Sequence, residues 1–229
     1  PTLFAVEEAI LACKPTTLLP SSYLGPDTDM YSALPDLYRF ANLSTNLRNL
    51  LIDVMFLASL MNHAIAGVAP KMTAIKFHNT ILVLGYRLLK IKPLGVSLGA
   101  PPSHNGVYLG LTAFLLTFLQ GWDGRVPCNA LLSKLLLSEA RRPQSLARDD
   151  QEILLWLLHM GAASSGLWEH PVWVTVTKHT LQELGIQSWE SVKGILVRFP
   201  WINAVHDAFG QALWSACNKA PSDKSTEPV

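Results

Sequence analysis

Apolar positions recur at three- and four-residue intervals along nearly the whole chain. Leu47, Leu50, Leu51, Val54, Met55 and Ala58 fall on the i, i+3, i+4, i+7 row of a single helix face, with Asn42 or Ser44 available as the N-cap. Residues 75–89 read the same way, with Arg87 and Lys90 near the C-terminal end, where the helix dipole favours cations. Residues 107–119 and 128–137 are apolar all round, which predicts buried helices. Asp149 and Glu152 resemble a capping box opening the run 153–160. Ser188 precedes a predicted helix over 189–199 that Pro200 closes, and 201–217 then sets Ile202, Val205, Phe209 and Leu213 on one face. One stretch conflicts with the rest. Val172, Val174 and Val176 alternate with Trp173, Thr175 and Thr177, a β-like pattern. Pro171 nevertheless suits the first position of a helix, and 180–184 continue without a break, so helix is the reading and strand the alternative. Hairpin signals are absent elsewhere. The expected class is all-α, a single compact multi-helix domain of about eight to ten helices.

Breakers divide these helices. Residues 15–35, 93–106 and 121–127 read as connections, and 139–148, with Arg141, Arg142, Pro143 and Arg148, as a basic surface loop. No repeat or shift of composition marks a domain boundary, so 1–217 is expected to be one helical domain. The polar end, 218–229, has two prolines and reads as a disordered tail.

Composition narrows the function. Hydrophobic residues make up 49% of the 229 and charged residues only 15%, below the roughly 25% of an ordinary soluble domain. Such a chain buries an unusually apolar interior or hides apolar surface against a ligand or partner. The net charge of +1 leaves no electrostatic footprint for duplex DNA, RNA or an anionic membrane. No membrane span is expected: the apolar heart of 107–119 is short of the roughly 20 residues needed, and 47–69 carries Arg48, Asp53, Asn62 and His63. Residues 1–11 contain Glu7 and Glu8 without a basic stretch, unlike a secretory signal. Cys13, Cys128 and Cys217 form no CxxC pair and no even-numbered framework. They read as small buried hydrophobes in a reducing compartment, with neither metal nor disulfide implied.

Little in the chain matches a catalytic motif. Gly95-Val96-Ser97-Leu98-Gly99 has the G-x-S-x-G form, but a nucleophile elbow needs a strand before the serine and a helix after it. Pro101 and Pro102 would lie inside that helix, so a loop is the better reading. No HExxH, Walker loop or dinucleotide fingerprint appears, and no cofactor is implied. His63 and His159 sit in strongly apolar helical runs, where a ring needs either a backbone partner or a task in proton transfer. With Asp53 they are the candidates for catalysis. Trp156, His159 and Met160 share one face of the 149–166 segment. That face sets an aromatic wall, a titratable ring and a pliable thioether together, as an apolar ligand pocket requires. The remaining tryptophans (Trp122, Trp168, Trp173, Trp189, Trp201 and Trp214) read mainly as packing residues.

The run Leu154-Leu155-Trp156-Leu157-Leu158-His159-Met160-Gly161-Ala162-Ala163 resembles the "LLWLLFxGGxAS"-type segment of fungus-specific transcription-factor regulatory domains. Leu184, Trp189-Glu190-Ser191-Val192-Lys193, Phe199-Pro200-Trp201, His206-Asp207, Gly210 and Leu213-Trp214 extend the likeness. Upstream, Phe77-His78-Asn79 with Tyr86-Arg87-Leu88-Leu89 looks like that family's "RLL" helix, and 107–119 like its next core helix. The likeness spans most of 72–214. Members usually carry a six-cysteine binuclear zinc cluster that binds DNA, and this chain has none. The chain is also short for the family, and His159 replaces the usual aromatic residue.

The resemblance implies a regulatory, effector-binding domain, nuclear as part of a transcription factor. The near-neutral charge and missing cysteine cluster imply that it makes no DNA contact of its own, and the tryptophan set that it takes an apolar small molecule. The alternative is a stand-alone, cofactor-free cyclase, isomerase or dehydratase of fungal specialised metabolism, located in the cytoplasm. A homodimer is compatible with both.

Overall fold

The computed structural model describes residues 40–94, 102–119, 129–142 and 147–219. Among them are eight α-helices and no strand. They are α1 (Thr45–Ile65), α2 (Ala74–Ile91), α3 (Pro102–Leu119), α4 (Ala130–Ala140), α5 (Arg148–Ser165), α6 (Pro171–Glu183), α7 (Trp189–Leu196) and α8 (Asn203–Asn218), with a 3₁₀ turn at Leu167–Glu169.

Helix α5 is the hub. Residues 151–164 are buried on every side of it, and it packs most extensively on α3 while also touching α4, α6, α7 and α8. Its all-round apolar surface is the reason: a helix with no polar face must be covered on all faces. Gly166 (φ 64°) ends it in the left-handed conformation that a side chain would strain. One cluster of buried residues includes members of all eight helices.

Three tryptophans set the spacing of this core. The Trp156 ring fills the space over Gly110 on α3, Trp173 of α6 covers Gly161 on α5, and Trp189 of α7 covers Gly210 on α8. A Cβ at any of these glycines would lie within 3.0 Å of indole carbons. Only a bare backbone admits the rings.

Several local expectations are refined. The 172–177 stretch is helical, with Pro171 opening α6; Trp173, Thr177, Thr180 and Leu181 form the buried row and the valines flank it. The expected 93–106 connection is shorter, because Pro102 occupies the first position of α3, and Gly95 to Gly99 lie outside the described residues. Glu152 makes no capping box: it is 1% exposed and paired with Arg148 (3.2 Å) and Arg198 (2.8 Å), while Ala147 holds the N-cap position. Helix α8 buries His206, Gly210, Leu213 and Cys217, with Phe209 at the margin. Asn129 caps α4, accepting from the Leu132 amide at 3.0 Å, and Ser188 caps α7. Of the expected 218–229 tail, Asn218 is the last residue of α8 rather than disordered; 220–229, like the 15–35 and 121–127 connections, Cys13, Cys128 and Trp122, lie outside the described residues. Cys217 is buried, and burial raises its thiol pKa to about 11.

Gly110→Ala is expected to destabilise the fold by about 1–3 kcal/mol through overpacking against Trp156. Gly194→Ala, at an exposed position in α7 where an added Cβ meets no described atom within 4 Å, is expected to be neutral or stabilising by up to about 1 kcal/mol. Urea denaturation midpoints of the two variants test the contrast; equal midpoints would remove the steric role assigned to Gly110.

Candidate functional site

The aromatic side chains of the C-terminal half gather on the 199–202 turn between α7 and α8. Trp156 Nε1 donates to the Pro200 carbonyl at 3.0 Å, and its ring stacks on Phe199 at 5.4 Å. Asn62, in the last turns of α1, donates from Nδ2 to the Trp201 carbonyl (2.8 Å) and accepts the Asn203 amide on Oδ1 (2.9 Å). That amide is one of the donors an α-helix leaves unpaired at its start, so α1 caps α8 from a distance. Trp201 Nε1 donates to Asp207 Oδ1 at 2.8 Å, and Lys193 of α7 holds Oδ2 at 2.6 Å.

Two buried histidines flank the Trp201 ring, His159 with its centroid 6.3 Å away and His206 at 5.2 Å. Neither is exposed to solvent. Their hydrogen bonds assign opposite tautomers. His206 Nδ1 accepts the Ile202 amide at 2.9 Å. Thr117 Oγ1 gives its hydrogen to the Phe114 carbonyl at 2.6 Å, so His206 Nε2 donates to Thr117 at 3.2 Å. Both ring nitrogens of His206 are satisfied.

His159 is different. Its Nδ1 lies 2.8 Å from the Leu155 carbonyl, which only accepts, so Nδ1 carries the hydrogen. Nε2 is left as a bare acceptor, enclosed and without a hydrogen-bond partner. Trp189 stands on another side of the ring, 6.3 Å between centroids. Burial lowers the His159 pKa to about 4 against an opposing pull from the Leu155 carbonyl. Burial also lowers that of His206 to about 3, with the Asp207 carboxylate working in the other direction. Both rings are therefore neutral at neutral pH. An imidazole this weakly basic is a poor proton acceptor from substrate but a good neutral partner for a hydroxyl or N–H.

The residues singled out in the sequence take separate positions. Trp156, His159 and Met160 share α5 and are all fully buried, with the Trp156 ring toward Gly110 and Phe199 and the His159 ring toward Trp189 and Trp201. Asp53 is half-buried in an ion pair with Arg87 at 2.5 Å. His63 is exposed, its Nδ1 bonded to the Ser59 carbonyl at 2.9 Å. Ten residues along one helix separate it from Asp53 by about 15 Å. No hydrogen bond or ring contact among the described residues joins Asp53, His63 and His159.

Two polar groupings had no signal in the pattern. One is His206 with Thr117, which come from helices far apart in sequence. The other joins three segments: Lys92 Nζ donates to Asn105 Oδ1 at 2.9 Å and lies 4.5 Å above the Tyr108 ring, while Asn105 Nδ2 donates to Glu139. The Tyr108 hydroxyl donates to the Lys92 carbonyl at 3.0 Å. Burial lowers the Lys92 pKa, the Glu139 carboxylate opposing it, and burial raises that of Tyr108. A separate shallow depression of about 600 Å³ is lined, among the described residues, by Ala130, Ser133, Lys134, Leu137 and Ser138 of α4 and by Arg141 just after it. Among the described residues no three His, Cys, Asp or Glu side chains are grouped to hold a metal ion, and no helix is long and apolar enough to cross a membrane.

No family model, curated protein sequence or solved structure matches this chain.

The depressed histidine pKa values make stability depend on pH in one direction. The unfolded chain takes up protons first, near 6.5, so the histidine contribution is complete above that pH. It is lost as pH falls toward about 4 for His159 and about 3 for His206. The expected slope is about 1.4 kcal/mol per pH unit for each ring. His159→Phe is expected to remove its share, read as a smaller shift of the urea midpoint between about pH 7 and pH 5. An unchanged shift would mean that His159 is protonated in the folded state.

Proposed function

We propose that this chain is an effector-sensing regulatory domain whose ligand is an apolar molecule carrying a hydroxyl or N–H donor. The observation that carries the reading is the bare Nε2 acceptor of His159, buried against Trp189 and Trp201. A buried acceptor without a partner costs about 1–3 kcal/mol, and a ligand that supplies a donor recovers it. Aromatic walls with one fixed polar atom are the usual composition of a small-molecule site.

Entry requires the aromatic wall to yield. The element best suited is α7, an eight-residue helix that brings Trp189 to the ring and is tied to α8 by the Lys193–Asp207 ion pair. Ligand binding that displaces α7 would thereby change the surface around the 199–202 turn, and a sensing domain needs such a change. The likeness of 154–163 and 189–214 to fungal transcription-factor regulatory domains supports the same reading. With a net charge of +1 and no cysteine cluster, the chain leaves DNA contact to another module.

The test uses pairs of apolar alcohols and their O-methyl ethers, compared by thermal shift. At a concentration of about 100 times Kd, a binder adds about 2.7 kcal/mol, or several degrees in Tm. Alcohols are expected to raise Tm where their ethers do not, and His159→Phe, compared once its cooperative unfolding is verified, is expected to abolish the difference. Equal binding of alcohol and ether, or full binding by His159→Phe, would overturn the assignment.

A further inference from the structure

Helix α2 has two apolar faces, and the domain uses one. Ile81, Leu84 and Leu88 are buried, and the helix packs on α1 and α3. On the other side Ile75, Tyr86 and Leu89 are 75%, 47% and 56% exposed, with Leu82 between them only partly covered. Isolated exposed hydrophobics are ordinary on protein surfaces. These are not isolated: Ile75, Asn79, Leu82, Tyr86 and Leu89 follow one another at intervals of 4, 3, 4 and 3 residues.

That spacing is the heptad seam of a two-stranded coiled coil, with Ile75, Leu82 and Leu89 at d positions and Asn79 and Tyr86 at a positions. We propose that this face of α2 is a self-association surface, on which a second copy of the chain docks its own α2 in parallel.

Two features of the seam select this occupant. Asn79, exposed at the first a position, meets its own copy only in a parallel pair, where the two amides hydrogen-bond to each other. An antiparallel pair sets a against d, placing the amide opposite a leucine or isoleucine with its polar groups unpaired. Leucine at d beside asparagine at a is also the combination that specifies two strands and one register. Gly85, at the g position flanking the seam, has no described atom within 4 Å of where a Cβ would stand.

Length is not an obstacle. The 18 residues of α2 span about 27 Å and carry two heptads, too few for an isolated peptide, whose helix must form as it associates. Here the domain has already formed the helix through its other face, so association need not supply that ordering. The interface is small, and the expected affinity is correspondingly weak, about 1–100 µM.

Sedimentation equilibrium of the full chain from about 1 to 200 µM tests the proposal against that affinity range. A monomer–dimer equilibrium is expected, with Leu89→Glu and Ile75→Glu monomeric throughout and unchanged in thermal midpoint. Asn79→Leu is expected to tighten association by about tenfold or more, since it removes the polar residue that lowers coiled-coil stability. Asn79→Cys is expected to form an interchain disulfide under mild oxidant faster than wild type or Gln182→Cys, an exposed control on α6. A monomer at the highest concentration overturns the proposal. So does a dimer indifferent to Leu89→Glu, or a dimer that Asn79→Cys fails to cross-link. A monomer whose thermal midpoint drops with Leu89→Glu would show that the rest of the chain covers the seam, which also overturns it.

Discussion

Everything in the core is referred to the fit of indole rings against bare helix backbone. Trp156 over Gly110 fixes how closely α3 approaches α5, Trp173 over Gly161 does so for α6 and α5, and Trp189 over Gly210 for α7 and α8. Helix α5 takes part twice, giving its tryptophan to one neighbour and its glycine to another. Ridges of ordinary side chains keep helices about 8–10 Å apart and tolerate some sliding. A flat ring lodged where a Cβ is missing leaves far less latitude, because the protein interior is packed too densely to absorb a shift. The indole N–H groups add direction: Trp156 is bonded to the Pro200 carbonyl and Trp173 to that of Leu158. The Trp173 wedge is thus also pinned along α5, the helix it contacts, while Trp156 is tied to the 199–202 turn.

This packing explains why the 199–202 turn gathers so many partners. With α5 buried on all sides, polar groups near it must be satisfied internally or go without. Helix α8 begins here with no side-chain cap of its own, and its first amides are served by Asn62 from α1 and by His206. His206 can accept an amide and donate to Thr117 only while neutral, a state that burial enforces. His159 meets the same low-polarity surroundings with one nitrogen paired and one bare. The contrast between two rings packed on either side of Trp201 is what marks His159, rather than its burial, which both share.

Helix positions were readable because the buried rows follow 3.6-residue spacing, most cleanly on α1, where all six residues of the predicted face are buried. Where the reading slipped, a tertiary partner had intervened. Glu152 looks like half of a capping box, but its position beside α7 brings Arg198 to it, and no local pattern encodes that pair. The alternating valines of 172–177 imitate a strand because Trp173 and Thr177, the residues that face inward, also stand four apart. The site was legible only as a face. Spacing put Trp156, His159 and Met160 together on α5, yet the rings that enclose His159 come from Trp189 and Trp201, thirty or more positions away. The exposed seam on α2 was hidden for a related reason: two apolar faces on one helix add up to a broadly apolar helix, and burial alone separates them.

Packed rings lead from the histidine to the core-facing side of α2, which lies opposite the seam on the same helix. Phe77 on the partly buried side of α2 meets Phe118 of α3 at 5.2 Å, Phe118 meets His206 at 6.0 Å, and His206 meets Trp201 at 5.2 Å, which in turn faces His159. Contact by itself transmits nothing; coupling requires an element with two arrangements whose balance both sites bias. Trp201 qualifies by position, since any ligand admitted beside His159 must press on it or on Trp189. Displacing Trp201 would disturb His206 and the Phe114–Phe118 pair, and a dense core passes on such shifts as discrete repacking rather than smooth strain. Were the two proposed sites coupled in this way, linkage would work in both directions: whatever factor a ligand imposed on association of two α2 helices, association would impose on ligand affinity. A weak dimer is the more responsive partner in such a scheme, because an equilibrium already far to one side has little population left to move.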